Sequence, residues 1–195
     1  PMEGTAETVR KYLRDPEYLF FLGNTDPKKN TPGTLKAYAE YVRRSENPLP
    51  LLVADLGEQP AEAILREIGE PRLRGMLRLA GYIPNSDLPA IYNRASAFLY
   101  TSLRESFGIP LVEAMACGTP VITGNTSSMP EVGGPGILAI DPCRPEEIAA
   151  SRKRGHALPA AAEIRTAARP AILVGKDGRR ADSSISFPIQ ITAAP

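Results

Sequence analysis

Two glutamates, Glu105 and Glu113, stand with seven residues between them, and those seven include Phe107-Gly108-Ile109-Pro110. The apolar run Ala97-Phe98-Leu99-Tyr100 precedes them and reads as a buried strand. The stretch ends in Cys117-Gly118-Thr119-Pro120, a helix stop, and a second apolar run follows, Val121-Ile122-Thr123. Strand, loop, helix and strand in that order make the βαβ unit of a parallel sheet. Gly108 lets a ligand approach the backbone closely, and Pro110 suits a first helical turn because it gives up an amide that would be orphaned there. The remaining free amides and the positive helix end suit an anion, above all a phosphate. A carboxylate accepts from two hydroxyls at once through charge-assisted bonds. A phosphate-friendly helix start between two carboxylates is therefore a layout that can hold a sugar, a diphosphate and a ribose in one line.

The elements that must position this stretch alternate along the chain. Residues 1–17 are polar and form a leader with a short helix from Ala6 to Leu13. Residues 18–23 read as a first strand, running into the turn-rich loop Asn24-Thr25-Asp26-Pro27-Lys28-Lys29-Asn30. Thr31 is the expected cap of the next helix, with Pro32 at its first position and Leu35, Tyr38, Ala39 and Val42 on its apolar face. Leu51 to Ala54 is a second strand, Ala61 to Ile68 a helix, and Met76 to Leu79 a third strand. Gly81-Tyr82-Ile83-Pro84 closes that strand, and Ser86 is the expected cap of a helix bearing Leu88, Ile91 and Tyr92. Residues 97–100 and 121–123 are strands four and five, a short helix begins near Ser128, residues 136–140 are a sixth strand, and another helix begins at 145–150. This rhythm predicts the α/β class: an open, Rossmann-like parallel sheet with helices on both faces, whose ligands bind at the carboxyl ends of the strands. The loops after the first, third and fourth strands are the places to look.

Composition narrows the partners. A chain of 195 residues with a hydrophobic fraction of 43% holds one ordinary domain with a tail. The net charge of +1 argues for neither nucleic acid nor a membrane as the main partner. Residues 1–150 carry 15 basic and 19 acidic side chains, whereas residues 151–195 carry 8 and 3. That basic tail, Ala/Pro-rich with two β-like runs at 171–174 and 185–191, follows no pattern of the preceding domain. Cys117 and Cys143 make no disulfide framework, which fits a reducing, cytoplasmic compartment. No apolar run approaches the roughly 20 residues that span a bilayer, and no secretory signal is visible. The single His156 and the want of a Cys/His cluster speak against a metal site. The opening Pro1-Met2 suggests a cut or processed chain.

The sequence Glu-Ser-Phe-Gly-Ile-Pro-Leu-Val-Glu-Ala-Met-Ala-Cys-Gly-Thr-Pro-Val, residues 105–121, resembles the donor-site motif of the retaining nucleotide-sugar glycosyltransferases of family 4 (group 1). The resemblance extends from about Tyr18 to about Ala150. It implies the C-terminal half of the two-domain GT-B fold, with residues 18–150 as the donor-binding domain. Glu113 would bind the ribose hydroxyls and Glu105 the donor sugar, with the backbone of Phe107, Gly108, Ile109 and Leu111 cradling diphosphate and sugar. Gly23-Asn24-Thr25-Asp26-Pro27-Lys28-Lys29-Asn30 is similar to the family loop Gly-Arg-x-x-x-Arg-Lys-Asn, whose cations neutralise the diphosphate. Lys29 matches its lysine, Lys28 stands beside it, and Asn24 replaces an arginine. Ile83 is the expected reader of the base edge through its main chain. Glu131, in Pro-Glu-Val-Gly-Gly, also fits a family pattern but is equally a structural residue, and Cys117 reads as a small buried side chain.

The implied activity is hexosyl transfer from a UDP- or GDP-linked sugar, without cofactor, to a glycan or lipid acceptor. The acceptor would be held by an N-terminal domain that has no counterpart in these residues, so the chain alone is expected to be inactive. In a full-length protein it would be peripheral at the membrane. Alternatives are a donor-binding subunit of a two-chain transferase, or a non-catalytic nucleotide-binding module. A sugar-nucleotide epimerase or a starch-synthase-like enzyme is disfavoured by Phe-Gly-Ile-Pro within the motif.

Overall fold

The computed structural model describes residues 4–144 and Glu146. Apart from Glu146, the helix expected at 145–150 falls outside the described residues, as do the basic tail with its two β-like runs and His156.

Six short strands, β1 Leu19–Leu22, β2 Leu51–Ala54, β3 Leu77–Gly81, β4 Ala97–Tyr100, β5 Val121–Gly124 and β6 Ile137–Ile140, form one sheet in the order β3-β2-β1-β4-β5-β6. Every neighbouring pair is parallel. Among the described residues, α1 Thr5–Arg10 precedes the first strand, and helices fill the connections: α2 Thr31–Arg44, α3 Glu58–Ile68, the single turn α4 Leu73–Met76, α5 Leu88–Arg94, α6 Ile109–Ala116 and α7 Met129–Gly133.

The alternation of side chains along each strand divides the interior in two. Leu19, Phe21, Leu51, Val53, Ala97 and Leu99 face α2 and α3 and bury Leu35, Tyr38, Val42 and Leu65. Phe20, Leu52, Phe98 and Tyr100 face the other way and pack with Tyr92 of α5, Leu111 and Met115 of α6, and Met129. Both faces of the sheet are thus covered, which is why the inner strands β1, β2 and β4 are unbroken apolar runs, while the edge strand β3 admits Arg78. The parallel α/β architecture expected from the sequence is the one observed.

Element ends differ from the sequence reading in several places. The leader contributes to the core, because Val9 and Leu13 are buried against the second cluster. Its helix stops at Arg10, and Lys11 and Tyr12 turn toward α5, where both bond Asp87, Tyr12 Oη at 2.7 Å. Asp87, not Ser86, occupies the cap of α5, and its carboxylate serves those two side chains instead of the helix amides. Likewise Asn30, not Thr31, is the cap residue of α2, and Thr31 is its first helical residue. α3 starts three residues before Ala61, at Glu58. The third strand runs on to Gly81, where Asp55 N–H donates to the Gly81 carbonyl at 2.8 Å.

The strand order makes the site. β1 continues leftward to β2, whereas β4 continues rightward to β5, yet β1 and β4 lie side by side. A crevice opens between the loops that leave two such strands, and ligands of open α/β sheets bind in it. Those loops carry Lys29 and Glu105.

Candidate functional site

The loop after β1 is built around its own side chains. Asn24 Oδ1 accepts from the Asp26 amide at 2.9 Å, and Asp26 accepts from the Lys28 amide at 2.9 Å, so a turn of 3-10 helix, Pro27–Lys29, follows. Asn30 then takes the left-handed conformation at φ 54°, one that asparagine tolerates better than most residues. Its side-chain amide donates to Thr101 O and to Pro142 O at 2.9 Å, tying the loops after β1, β4 and β6 together. The Leu103 amide adds a bond to Lys28 O at 2.8 Å.

This stitching turns the two lysines to different fates. Lys28 is 63% exposed and pairs with Asp26 at 3.4 Å, on the outer side of the loop. Lys29 turns inward and its Nζ donates to Glu105 Oε1 at 2.8 Å, with both side chains at least three-quarters covered. Asn24 spends its side-chain oxygen on the turn, and its carbonyl accepts from Thr31 Oγ1 at 2.6 Å. It therefore shapes the loop. Gly23 is required for space: a Cβ there would fall 2.0 Å from the Phe21 ring.

Glu105 is held from behind by the loop after β5. Ser127 Oγ accepts from the Glu105 amide and donates to its carbonyl at 2.6 Å, and Ser128 Oγ donates to the same carbonyl. A hydroxyl can do both at once. In the sequence Ser128 stands out only as the neighbour of a helix start, and Ser127 does not stand out at all. The positive φ of Ser127, 59°, is a feature that no local pattern announces.

Gly108 caps α6 at φ 89°, in the left-handed region, where a side chain would be strained. Pro110 has no amide, and the Leu111 amide donates to Gly108 O at 3.0 Å. The helix start therefore presents the amides of Gly108 and Ile109. Leu111 itself is wholly buried, so it supports this cradle from within the core. Phe107 and Ile109 expose their side chains to 55% and 60%. Glu113, one turn into α6, is half-buried, and the Tyr92 hydroxyl donates to its Oε2 at 3.4 Å. Ile83 lies beside the exposed Tyr82, but its own side chain is in the core, which leaves only its main chain to meet a ligand. Glu131 is exposed on α7. Cys117 is half-buried, and its thiol is pushed up to about 11 by burial and by Glu113, which makes it inert.

The two glutamates are tuned in opposite directions. Burial raises the Glu105 carboxyl, but the hydrogen bond from Lys29 outweighs it and holds it below the ordinary value of 4.5. Burial lifts Glu113 above that value, and Tyr92 offsets only part of the rise. A carboxyl whose folded pKa is raised costs stability when ionised, and the cost vanishes below its unfolded pKa. Glu113→Gln is accordingly expected to stabilise the fold at neutral pH, with the gain gone below pH 4.5. Urea unfolding at the two pH values checks this, and a gain that persists in acid would refute it.

A second recess, of about 500 Å³, lies on α2 and α3 among Lys36, Glu40, Arg43, Arg44 and Glu67. Its charges neutralise one another, as in Lys36–Glu67 at 3.0 Å and Arg44–Glu40 at 3.2 Å, so it offers a ligand little. Among the described residues no three His, Cys, Asp or Glu side chains group closely enough to hold a metal ion. None of the described helices is long and apolar enough to cross a membrane.

The chain is 35% identical over 125 residues to O-antigen chain mannosyltransferase B of Escherichia coli, a match covering 64% of this chain and 33% of that protein. It is 31% identical over 144 residues to D-inositol 3-phosphate glycosyltransferase of Frankia alni, covering 67% and 35%. The chain thus spans about a third of the length of these relatives. Its fold resembles that of the trehalose-6-phosphate protein of E. coli solved with UDP-2-fluoro glucose, at a TM-score of 0.68 and 15% identity, over 88% of this chain and 43% of that one. It resembles Anabaena HepE, solved with UDP-glucose, at a TM-score of 0.68 and 18% identity, over 88% and 48%. The sequence pattern of the family "Glycosyl transferases group 1" matches residues 6–154, and the chain belongs to that family.

Proposed function

We propose that this chain is the donor-binding part of a retaining glycosyltransferase that takes its sugar from a UDP- or GDP-linked donor. The observation that carries the reading is the meeting of Lys29 and Glu105 at 2.8 Å, across 76 positions of sequence, beside the helix start at Gly108. Lys29 and the amides of Gly108 and Ile109 receive the diphosphate, Glu105 the sugar hydroxyls, and Glu113 the ribose. When the bond from the anomeric carbon to the diphosphate breaks, its electron pair goes to the diphosphate. Fixed positive groups at that point stabilise the charge as it develops. The transfer uses no cofactor.

The acceptor, a glycan or a lipid, is held by a second domain. Tyr82 after β3, and Leu103, Phe107 and Ile109 after β4, are exposed at the carboxyl end of the sheet, where that domain would close. Positioning of an acceptor hydroxyl supplies roughly 7–11 kcal/mol of a transfer barrier, so the chain alone binds donor without transferring the sugar.

Calorimetric titration with UDP, GDP and ADP and with UDP-glucose and GDP-mannose tests the reading. Binding of one nucleotide series, stronger with the sugar attached, is expected. A chain that binds none of these probes would overturn the proposal.

A further inference from the structure

The fold buries one hydroxyl that it does not use. Tyr100 ends β4 and is 1% exposed, yet its phenolic oxygen meets no hydrogen-bond partner among the described residues. The ring lies at the floor of the site. A Cβ on Gly108 would touch its Cε1 at 3.5 Å, Lys29 Nζ stands 5.4 Å from its centroid, and Phe98 stacks on it at 5.6 Å. Burial above all, and then Glu105, push its hydroxyl above the usual tyrosine range, while its oxygen makes no hydrogen bond.

A buried donor left unmade forfeits most of a hydrogen bond, and such a group calls for an explanation. A phenylalanine would fill the same space without that loss. The unbound arrangement shows what the oxygen lacks: Glu105 is already taken by Lys29. An arriving diphosphate is a stronger claimant on that ammonium than one carboxylate, being more highly charged. Once Lys29 turns to it, Glu105 is a mostly covered carboxylate without its cation, and such a group must find another donor.

We propose that Tyr100 is a positioning residue whose hydroxyl takes over Glu105 when a donor's diphosphate draws Lys29 away. The exchange keeps the carboxylate ionised and aimed at the sugar hydroxyls without adding a positive charge beside the departing diphosphate. Tyr100 thereby couples diphosphate binding to sugar binding. The proposal rests on the donor-binding reading above.

Tyr100→Phe separates the two. Titration of the whole chain with UDP, GDP, UDP-glucose and GDP-mannose is compared for wild type and variant. The variant is expected to bind the bare diphosphate a few-fold more weakly, because the exchange already follows diphosphate binding, and the nucleotide sugar about tenfold more weakly, because Glu105 is then also left unaimed at the sugar hydroxyls. Its melting temperature is expected to equal or exceed that of the wild type. The acid limb of its nucleotide-sugar affinity is expected to move to higher pH, because a donor that keeps Glu105 ionised is gone. Equal nucleotide-sugar affinities for wild type and variant overturn the Tyr100 role, and so does a loss shared equally by diphosphate and nucleotide sugar. A wild-type chain that binds no nucleotide overturns the donor-binding reading itself, and the Tyr100 proposal with it.

Discussion

Phe98→Ala is expected to destabilise the domain by about 3–5 kcal/mol, the range for truncating a fully buried phenylalanine. Phe98 is 0% exposed and touches three other rings: Phe20 at 5.4 Å, Tyr92 at 5.1 Å nearly edge-on, and Tyr100 at 5.6 Å. Domains of this kind hold only about 5–15 kcal/mol in all. The substitution therefore removes a large share of the stability, and it does so directly beneath the site. Tyr92 bonds Glu113 and Tyr100 floors the crevice, so both lose the ring that sets their rotamers. Urea unfolding should show a lower midpoint with an unchanged slope, and nucleotide affinity should fall in the fraction that remains folded. Tyr82→Ala, at 73% exposed, serves as the contrast and should change stability by no more than about 0.5 kcal/mol. A Phe98→Ala midpoint within error of the wild type would show that the aromatic cluster does not hold the two faces of the site together.

What could be read from the chain depended on whether a local signal existed. Residues 51–54 and 97–100 are strands at the very positions their apolar runs suggested, because a strand buried on both faces must be apolar throughout. Helix starts were displaced by a residue or more where a polar side chain had a distant partner. Asn30 left its helix to bond Thr101 and Pro142, and Asp87 left its own to bond Tyr12. Nothing in residues 24–31 announces such partners. The glutamate pair and the lysine were legible by type and spacing. Their direct contact was not, because it depends on β4 lying beside β1, and adjacency of non-consecutive strands leaves no mark on either sequence. The contribution of Ser127 was invisible for the same reason: it acts on Glu105 from the loop after a different strand.

Lys29→Ala and Glu105→Gln are expected to shift bare nucleoside diphosphate binding in opposite directions. Lys29 is the cation of this crevice that is both turned inward and mostly covered, whereas Lys28 points outward and is neutralised by Asp26. Losing Lys29 removes a charge-assisted bond to phosphate worth about 1–3 kcal/mol, or roughly five- to 150-fold in affinity. It also leaves Glu105 without its ammonium, facing an anion, which adds repulsion to the loss. Glu105→Gln acts in the reverse sense. The ammonium no longer divides itself between carboxylate and phosphate, and a negative charge next to the diphosphate is gone, so UDP or GDP should bind at least as tightly as to the wild type. The nucleotide sugar should not share that gain, because the substituted amide offers the sugar hydroxyls one neutral acceptor in place of an ionised pair of oxygens. The ratio of nucleotide-sugar to diphosphate affinity should therefore fall in Glu105→Gln and hold nearly steady in Lys29→Ala. Titrations of both variants at one ionic strength supply all four affinities. If Lys29→Ala binds the diphosphate as the wild type does, the ion pair at the mouth of β1 and β4 is a structural clasp and the phosphate seat lies elsewhere.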